Sequence, residues 1–127
     1  TESMGYLLHN TGGHCDVAAG AKVSIVVAPS IRGRLPIVRD AVTTITTHGE
    51  TVGVIVTERG IAVNDNLPEL KEALIKMRAP VKDIRQLRDE IQAVTGVPRP
   101  VEFEDKVVGL IEYRDGSIID VVRKVRE

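Results

Sequence analysis

The strongest constraint on this chain is a set of short, continuous runs of Val and Ile, punctuated by Gly and Pro. Residues 22–28 read Lys-Val-Ser-Ile-Val-Val-Ala, apolar on both faces, and Pro29 ends the run. Side chains branched at Cβ are stiff and pack well on pleated surfaces, so such a run predicts a strand covered on both sides within a helix-flanked sheet. Val54, Ile55 and Val56 repeat the pattern inside a strand predicted over 52–57. Aromatic mass is nearly missing, with one Phe and two Tyr in 127 residues, so the core must be built from Val, Ile, Leu and Ala.

Further strands are expected at 5–9 and 41–47, and residues 61–63 resume as a strand after the break at Gly60. Residues 32–39 read as a basic loop or edge strand, and His48-Gly49-Glu50 as the turn between strands 41–47 and 52–57. Asn10-Thr11-Gly12-Gly13 forms a tight turn, followed by a short Ala-rich helix over 17–21 capped by Asp16. A helix over 68–77 comes after Asp65 or Asn66 as cap, with Pro68 early and Leu70, Ala73, Leu74 and Met77 on one face. Ala79-Pro80-Val81 is extended. A second helix covers 84–94, with Leu87, Ile91 and Val94 inward and Gly96 as its stop, and Pro98 and Pro100 make a rigid connector. Residues 106–113 and 118–125 flank Arg114-Asp115-Gly116-Ser117, an Asp-Gly hairpin signal. The predicted class is α/β, a mixed sheet with flanking helices and a terminal β-hairpin. Strands outnumber helices, so one sheet face is expected to lack cover.

Length suits one domain. The chain opens on Thr1 and enters a strand-like run almost at once, so a piece of a longer protein is expected. Seventeen basic against eighteen acidic side chains argue against a nucleic-acid binder. No apolar run reaches the roughly 20 residues of a membrane helix, and no secretory signal is present. Cys15 is the single cysteine, which points to a reducing compartment, the cytoplasm.

The turn Thr11-Gly12-Gly13-His14 is the first candidate for chemistry. Paired glycines turn the chain sharply and admit a substrate close to backbone N–H groups, which at a helix start can hold an anion or a developing oxyanion. A plain tight turn is the structural alternative. His9, His14, Cys15 and Asp16 have the wrong spacing for a metal site, and no metal is expected. Cys15 as nucleophile needs a base and a lowered pKa; a small buried thiol is the simpler reading. Asp16 reads as a cap, a substrate contact, or both. Arg32, Arg34 and Arg39 suit phosphate recognition or a solvated surface equally. Glu58 and Arg59 come after a buried-looking strand, at the carboxyl end where α/β sheets bind ligands, or form an internal ion pair.

Longer stretches carry a resemblance. They are Gly12-Gly13-His14-Cys15-Asp16-Val17-Ala18-Ala19-Gly20-Ala21-Lys22, Val26-Val27-Ala28-Pro29, Arg32-Gly33-Arg34, Val56-Thr57-Glu58-Arg59-Gly60-Ile61-Ala62-Val63-Asn64, Thr95-Gly96-Val97-Pro98 and Tyr113-Arg114-Asp115-Gly116-Ser117-Ile118-Ile119-Asp120-Val121-Val122. Together and in order, they resemble the carboxy-terminal part of the citrate lyase α subunit family, citrate CoA-transferases of the CoA-transferase superfamily.

The resemblance implies part of a CoA-transferase-type (NagB/RpiA-like) domain. Residues 1–127 would be the carboxy-terminal portion of the second such domain, with the earlier part of the subunit absent. It implies exchange of acetyl for citrate on a carrier-bound thioester, releasing acetate, with acyl carrier (γ) and lyase (β) subunits as partners. The arm, phosphoribosyl-dephospho-CoA, belongs to the carrier, and no cofactor is bound directly. Gly12 and Gly13 would be catalytic; His14, Asp16, Arg32, Arg34 and Glu58 would contact substrate or carrier. The covalent glutamate of some superfamily members would precede this chain. A homo-oligomer is expected from open sheet edges. A CoA-transferase using free acyl-CoA and a small carboxylate, and a non-catalytic assembly domain, are the competing functions.

Overall fold

The β-branched runs do form strands, but in smaller pieces than expected. The structure, a computed structural model, describes residues 12–126 and the backbone of residues 2–3 and 6–7. Strands β1 (Glu2–Ser3) and β2 (Tyr6–Leu7) form an antiparallel pair, so strand 5–9 is met at Tyr6–Leu7 and its other residues lie outside the described set. Helix α1 spans His14–Gly20, three residues earlier than predicted. Gly13 is its N-cap, with no side-chain cap bond, so Asp16 lies within the first helical turn instead of capping it.

A three-stranded sheet carries the centre of the chain. Strand β3 (Ile25–Val27) pairs in parallel with β6 (Val54–Thr57), setting Ile25 opposite Val54 and Val27 opposite Val56. β6 turns at residues 58–59 into antiparallel β7 (Gly60–Val63). Residues 80–82 extend the sheet beyond β7: Val81 bridges Ile61 in parallel, and the Lys82 N–H donates to the Ile61 carbonyl at 2.9 Å. The expectation of a strand over 22–28, covered on both faces, is corrected. β3 is short and lies at the end of this sheet, and Ile25 and Val27, on one face, are 60% and 77% exposed.

Between β3 and β6, residues 31–36 form a hairpin of β4 (Ile31–Arg32) and β5 (Leu35–Pro36). Gly33 and Arg34 sit at φ 56° and 70°, the doubly left-handed two-residue loop whose twist matches antiparallel strands. No strand forms over 41–47. The Ile45 N–H instead donates to a side chain, Asp120 Oδ2, at 2.6 Å. A 3-10 turn, Gly49–Thr51, leads into β6.

Helix α2 (Pro68–Lys76) starts after Leu67, without the expected Asp65 or Asn66 cap. Asn66 donates through its side chain to the Glu50 carbonyl, and Asp65 accepts from Lys71. No residue of α2 is buried, and Ala73 and Met77 face solvent, so its predicted apolar face is only half used. Helix α3 (Ile84–Thr95) is the packed one. Asp83 caps it by accepting from the Arg85 N–H at 2.8 Å, and Gly96 at φ 73° ends it. Leu87 and Ile91, one turn apart, are fully buried and pack with Val38 and Ala62, flanked by Ile31 and Ile55. Val94, expected inward, is 61% exposed: the sheet supplies neighbours for two turns of this face only.

The chain closes on the predicted hairpin, β8 (Phe103–Glu112) with β9 (Ile118–Val125), a separate two-stranded sheet. At its tip Gly116 takes φ 85°, and Asp115 accepts from the Ser117 N–H and hydroxyl. The mixed α/β class stands, with the strands of the described residues divided among four small sheets. Among the described residues no helix is long and apolar enough to cross a membrane.

Core burial sets a direct contrast. Leu87→Ala should cost about 3 kcal/mol, whereas Val94→Ala should stay within about 0.5 kcal/mol of the parent. Urea denaturation of both variants checks this.

Candidate functional site

Two groups of polar side chains collect the residues singled out from sequence. The first surrounds the start of α1. Gly12 adopts φ +59°, which favours glycine, and Gly13 comes next at φ −86°. A Cβ added at either would meet nothing within 4 Å. The Gly13 carbonyl accepts from the Val17 N–H at 2.9 Å, while the first N–H groups of the helix have no partner within it.

Segment 43–48 and the β8–β9 tip stand beside this turn. His14 Nδ1 is 2.9 Å from Thr47 Oγ1, and Arg114 Nε lies 3.8 Å from the Asp16 carboxylate. The His48 and Tyr113 rings meet edge to face at 4.7 Å. Thr47, His48, Tyr113 and Arg114 were not singled out as site residues. No local signal marks them, because they reach the turn only through the fold. Cys15 is half-buried and free.

The second group lies where parallel β3 and β6 end side by side. Glu58 comes directly after β6, and Ser30, fully buried, lies just beyond β3. The Ser30 N–H donates to Glu58 Oε2 at 2.9 Å, and the Ser30 hydroxyl donates to Glu58 Oε1. Arg59 Nε donates to Ser30 Oγ at 3.0 Å and lies 3.8 Å from the same carboxylate. The two bonds from Ser30, more than the charge of Arg59, hold the Glu58 carboxyl below the usual carboxylate range.

The Ser30 carbonyl accepts from the Ile37 N–H at 2.9 Å, which closes the base of the β4–β5 hairpin. Glu58 therefore anchors the hairpin carrying Arg32 and Arg34. Both are exposed, and neither forms an ion pair among the described residues. Arg39 does not join them: it lines a cleft against α3 and the 97–101 connector. Ser30 was missed from sequence, although its place after a strand ending in Ala28-Pro29 is the strand-end position where α/β sheets build sites. Among the described residues no group of three or more His, Cys, Asp or Glu could hold a metal ion.

The comparisons with known proteins agree with one another. The family described as "Citrate lyase, alpha subunit (CitF)" matches residues 1–125. The chain is 48% identical over its whole length to the citrate lyase alpha chain of Escherichia coli and 46% identical to that of Haemophilus influenzae. It spans about a quarter of the length of these relatives, 25% in each case. A crystal structure of a citrate lyase alpha subunit from Streptococcus mutans, in complex with citrate, superimposes with a TM-score of 0.93 at 48% identity. That match covers 98% of this chain and 24% of the other. The chain belongs to the citrate lyase alpha subunit family.

The second group carries a pH prediction. Because folding lowers the Glu58 pKa, its stabilising contribution is complete above the unfolded value, about 4.3, and is lost as pH falls through the lower folded value. Ser30→Ala should move the Glu58 carboxyl titration, monitored by NMR, back up toward the ordinary range and flatten the acid limb of the stability curve. An unchanged titration would show that Ser30 is not the cause.

Proposed function

We propose that this chain supplies the Gly-Gly turn and a basic hairpin to a citrate:acetyl-carrier transferase, exchanging acetyl for citrate on a carrier-bound thioester. The observation that carries this reading is the Gly-Gly turn at the start of α1, where a Cβ added at Gly13 would meet nothing within 4 Å. The family and the citrate held by the Streptococcus mutans relative support citrate as the acceptor.

Attack of a citrate carboxylate on the acetyl thioester builds negative charge on the thioester oxygen. Backbone N–H groups at the turn are suited to receive it, and the lack of a side chain at Gly13 lets the carbonyl approach. That attack expels the carrier thiolate and forms a citryl–acetyl anhydride; the thiolate then attacks the citryl carbonyl, so that the carrier sulfur ends bonded to citryl and acetate leaves. His14, fixed by Thr47, and Asp16, beside Arg114, line the turn and bear on the substrate carboxylates. Arg32 and Arg34 have their guanidinium groups uncommitted among the described residues, which suits the phosphates of the carrier's phosphoribosyl-dephospho-CoA arm. Glu58 positions that hairpin through Ser30. The acyl carrier and lyase subunits are the partners in this reading, and the setting is the cytoplasm. Because the chain spans a quarter of its relatives, the 127 residues alone should show no exchange.

A second reading, assembly without catalysis, draws on the exposed Ile25–Val27 face of β3, which suits packing against further chain or a second copy. A third, transfer from free acyl-CoA, is separated by comparing free CoA thioester with carrier thioester as donor.

The test is acetate release from acetyl-carrier on adding citrate, using an alpha subunit that contains this chain. Gly13→Val should leave folding and assembly intact, since an added Cβ meets no heavy atom within 4 Å, yet slow release by about 10²-fold. An unchanged rate would leave the turn as architecture and put the assembly reading first.

A further inference from the structure

Asp120 stands inside the β-branched run Ile118-Ile119-Asp120-Val121-Val122 of β9, where an Asp is poorly suited to a strand. A residue that breaks the local pattern calls for a compensating role elsewhere in the fold. The hairpin is irregular at this point: Asp120 lies opposite Ile111 and Ile118 opposite Glu112, which leaves Ile119 as an extra residue. A bulge of this kind re-aims a neighbouring side chain. The Asp120 side chain is half-buried, and both of its oxygens accept from backbone N–H groups. Oδ1 accepts from Val121 at 2.7 Å, and Oδ2 accepts from Ile45, 75 residues earlier, at 2.6 Å.

Segment 41–47 forms no strand, and among the described residues the Ile45 bond is the one hydrogen bond made by its backbone. Further along, Thr47 Oγ1 meets His14 Nδ1 at 2.9 Å, beside the Gly-Gly turn. The chain is held again at His48, whose carbonyl accepts from the Thr51 N–H and hydroxyl. That second anchor is local. Asp120 is the long-range one, and it sets the segment against the β8–β9 hairpin.

We propose that Asp120 is a positioning residue for His14. It holds segment 45–47 so that the Thr47 hydroxyl donates to His14 Nδ1, which keeps the imidazole proton on Nε2 and offers an N–H to a substrate carboxylate. The opposite tautomer would offer a lone pair, which a carboxylate avoids. The substrate group rests on the transferase reading above; the relay from Asp120 to His14 rests on the bonds alone.

The experiment follows the His14 ring nitrogens by NMR in the ¹⁵N-labelled 127-residue chain at about pH 8.5, where imidazole is neutral. His14→Gln assigns the signals. The parent should show the Nε2–H tautomer in excess of free imidazole. Thr47→Val removes the hydroxyl, and Asp120→Val removes the anchor with a side chain that suits the strand. Both should return His14 to the pattern of free imidazole. Asp120→Asn keeps an oxygen for the Ile45 N–H and should stay close to the parent. Lys124→Met breaks the Lys124–Glu104 pair elsewhere in the hairpin and should leave His14 unchanged. In an alpha subunit containing this chain, Asp120→Val and Thr47→Val should each raise the KM for citrate about tenfold with kcat little changed. Together they should do no more than either alone. An unmoved His14 pattern in Asp120→Val overturns the proposal. So does an equal change in Lys124→Met, which would trace the effect to a loosened hairpin. A moved His14 pattern with an unchanged KM upholds the relay and removes His14 from the substrate site, so the two readings fail separately.

Discussion

The contact between Ser30 and the Glu58 carboxylate is the constraint on which the β4–β5 end of the sheet depends. Parallel pairing brings β3 and β6 to one edge but leaves the loops beyond them free to diverge. Two hydrogen bonds from Ser30 to Glu58, with Arg59 as a third member, fasten those loops together. The hydroxyl is fully buried, so it depends on Glu58 and Arg59 for its hydrogen bonds. The anchored loop then carries the β4–β5 hairpin, closed at its base by the Ile37 N–H on the Ser30 carbonyl. Beneath it, Leu87 and Ile91 of α3 pack with Val38 and Ala62, and so the same small core supports the chain on both sides of the hairpin.

This arrangement changes the meaning of Glu58. A carboxylate after a strand at the edge of an α/β sheet invites a ligand-binding assignment. Here both of its oxygens accept from Ser30, which ties the carboxylate to the base of the hairpin carrying Arg32 and Arg34. Among the described residues those two arginines form no ion pair, whereas Arg88 and Lys82 do. An uncommitted pair at the end of a fixed, two-residue turn is well placed for an anion. Gly12 and Gly13 offer the complementary feature, a turn without side chains, while segment 43–48 and the Arg114–Ser117 tip supply the side chains around it.

How much of the fold is legible in the sequence depends on the range of the interactions. The terminal hairpin, the stop at Gly96 and the inward Leu87 and Ile91 depend on neighbours within a few residues, and each appears where local chemistry puts it. The strand expected over 41–47 depended on a partner strand that the described fold does not provide; its β-branched residues lie in an irregular segment instead. Val94 and the α2 face fail for a related reason: periodicity states which side of a helix is apolar, but not how far a core extends beneath it. The helix α1 starts early because Gly13 ends the turn without any side-chain cap, a choice that Asp16 concealed. At the site, the glycines and arginines were visible as residue types. Ser30, Thr47 and Arg114 were not, because their roles arise from contacts spanning 28, 33 and about 100 residues.

The central claim is that the Gly12–Gly13 turn receives the reacting thioester. It is tested most directly by a crystal structure of an alpha subunit containing this chain, bound to a hydrolysis-resistant analogue of the acyl-carrier arm. The account predicts the analogue's carbonyl oxygen about 3 Å from a backbone nitrogen of the turn, with the arm's phosphates on Arg32 or Arg34. A carbonyl held elsewhere, with the turn's N–H groups directed away from it, would contradict the account.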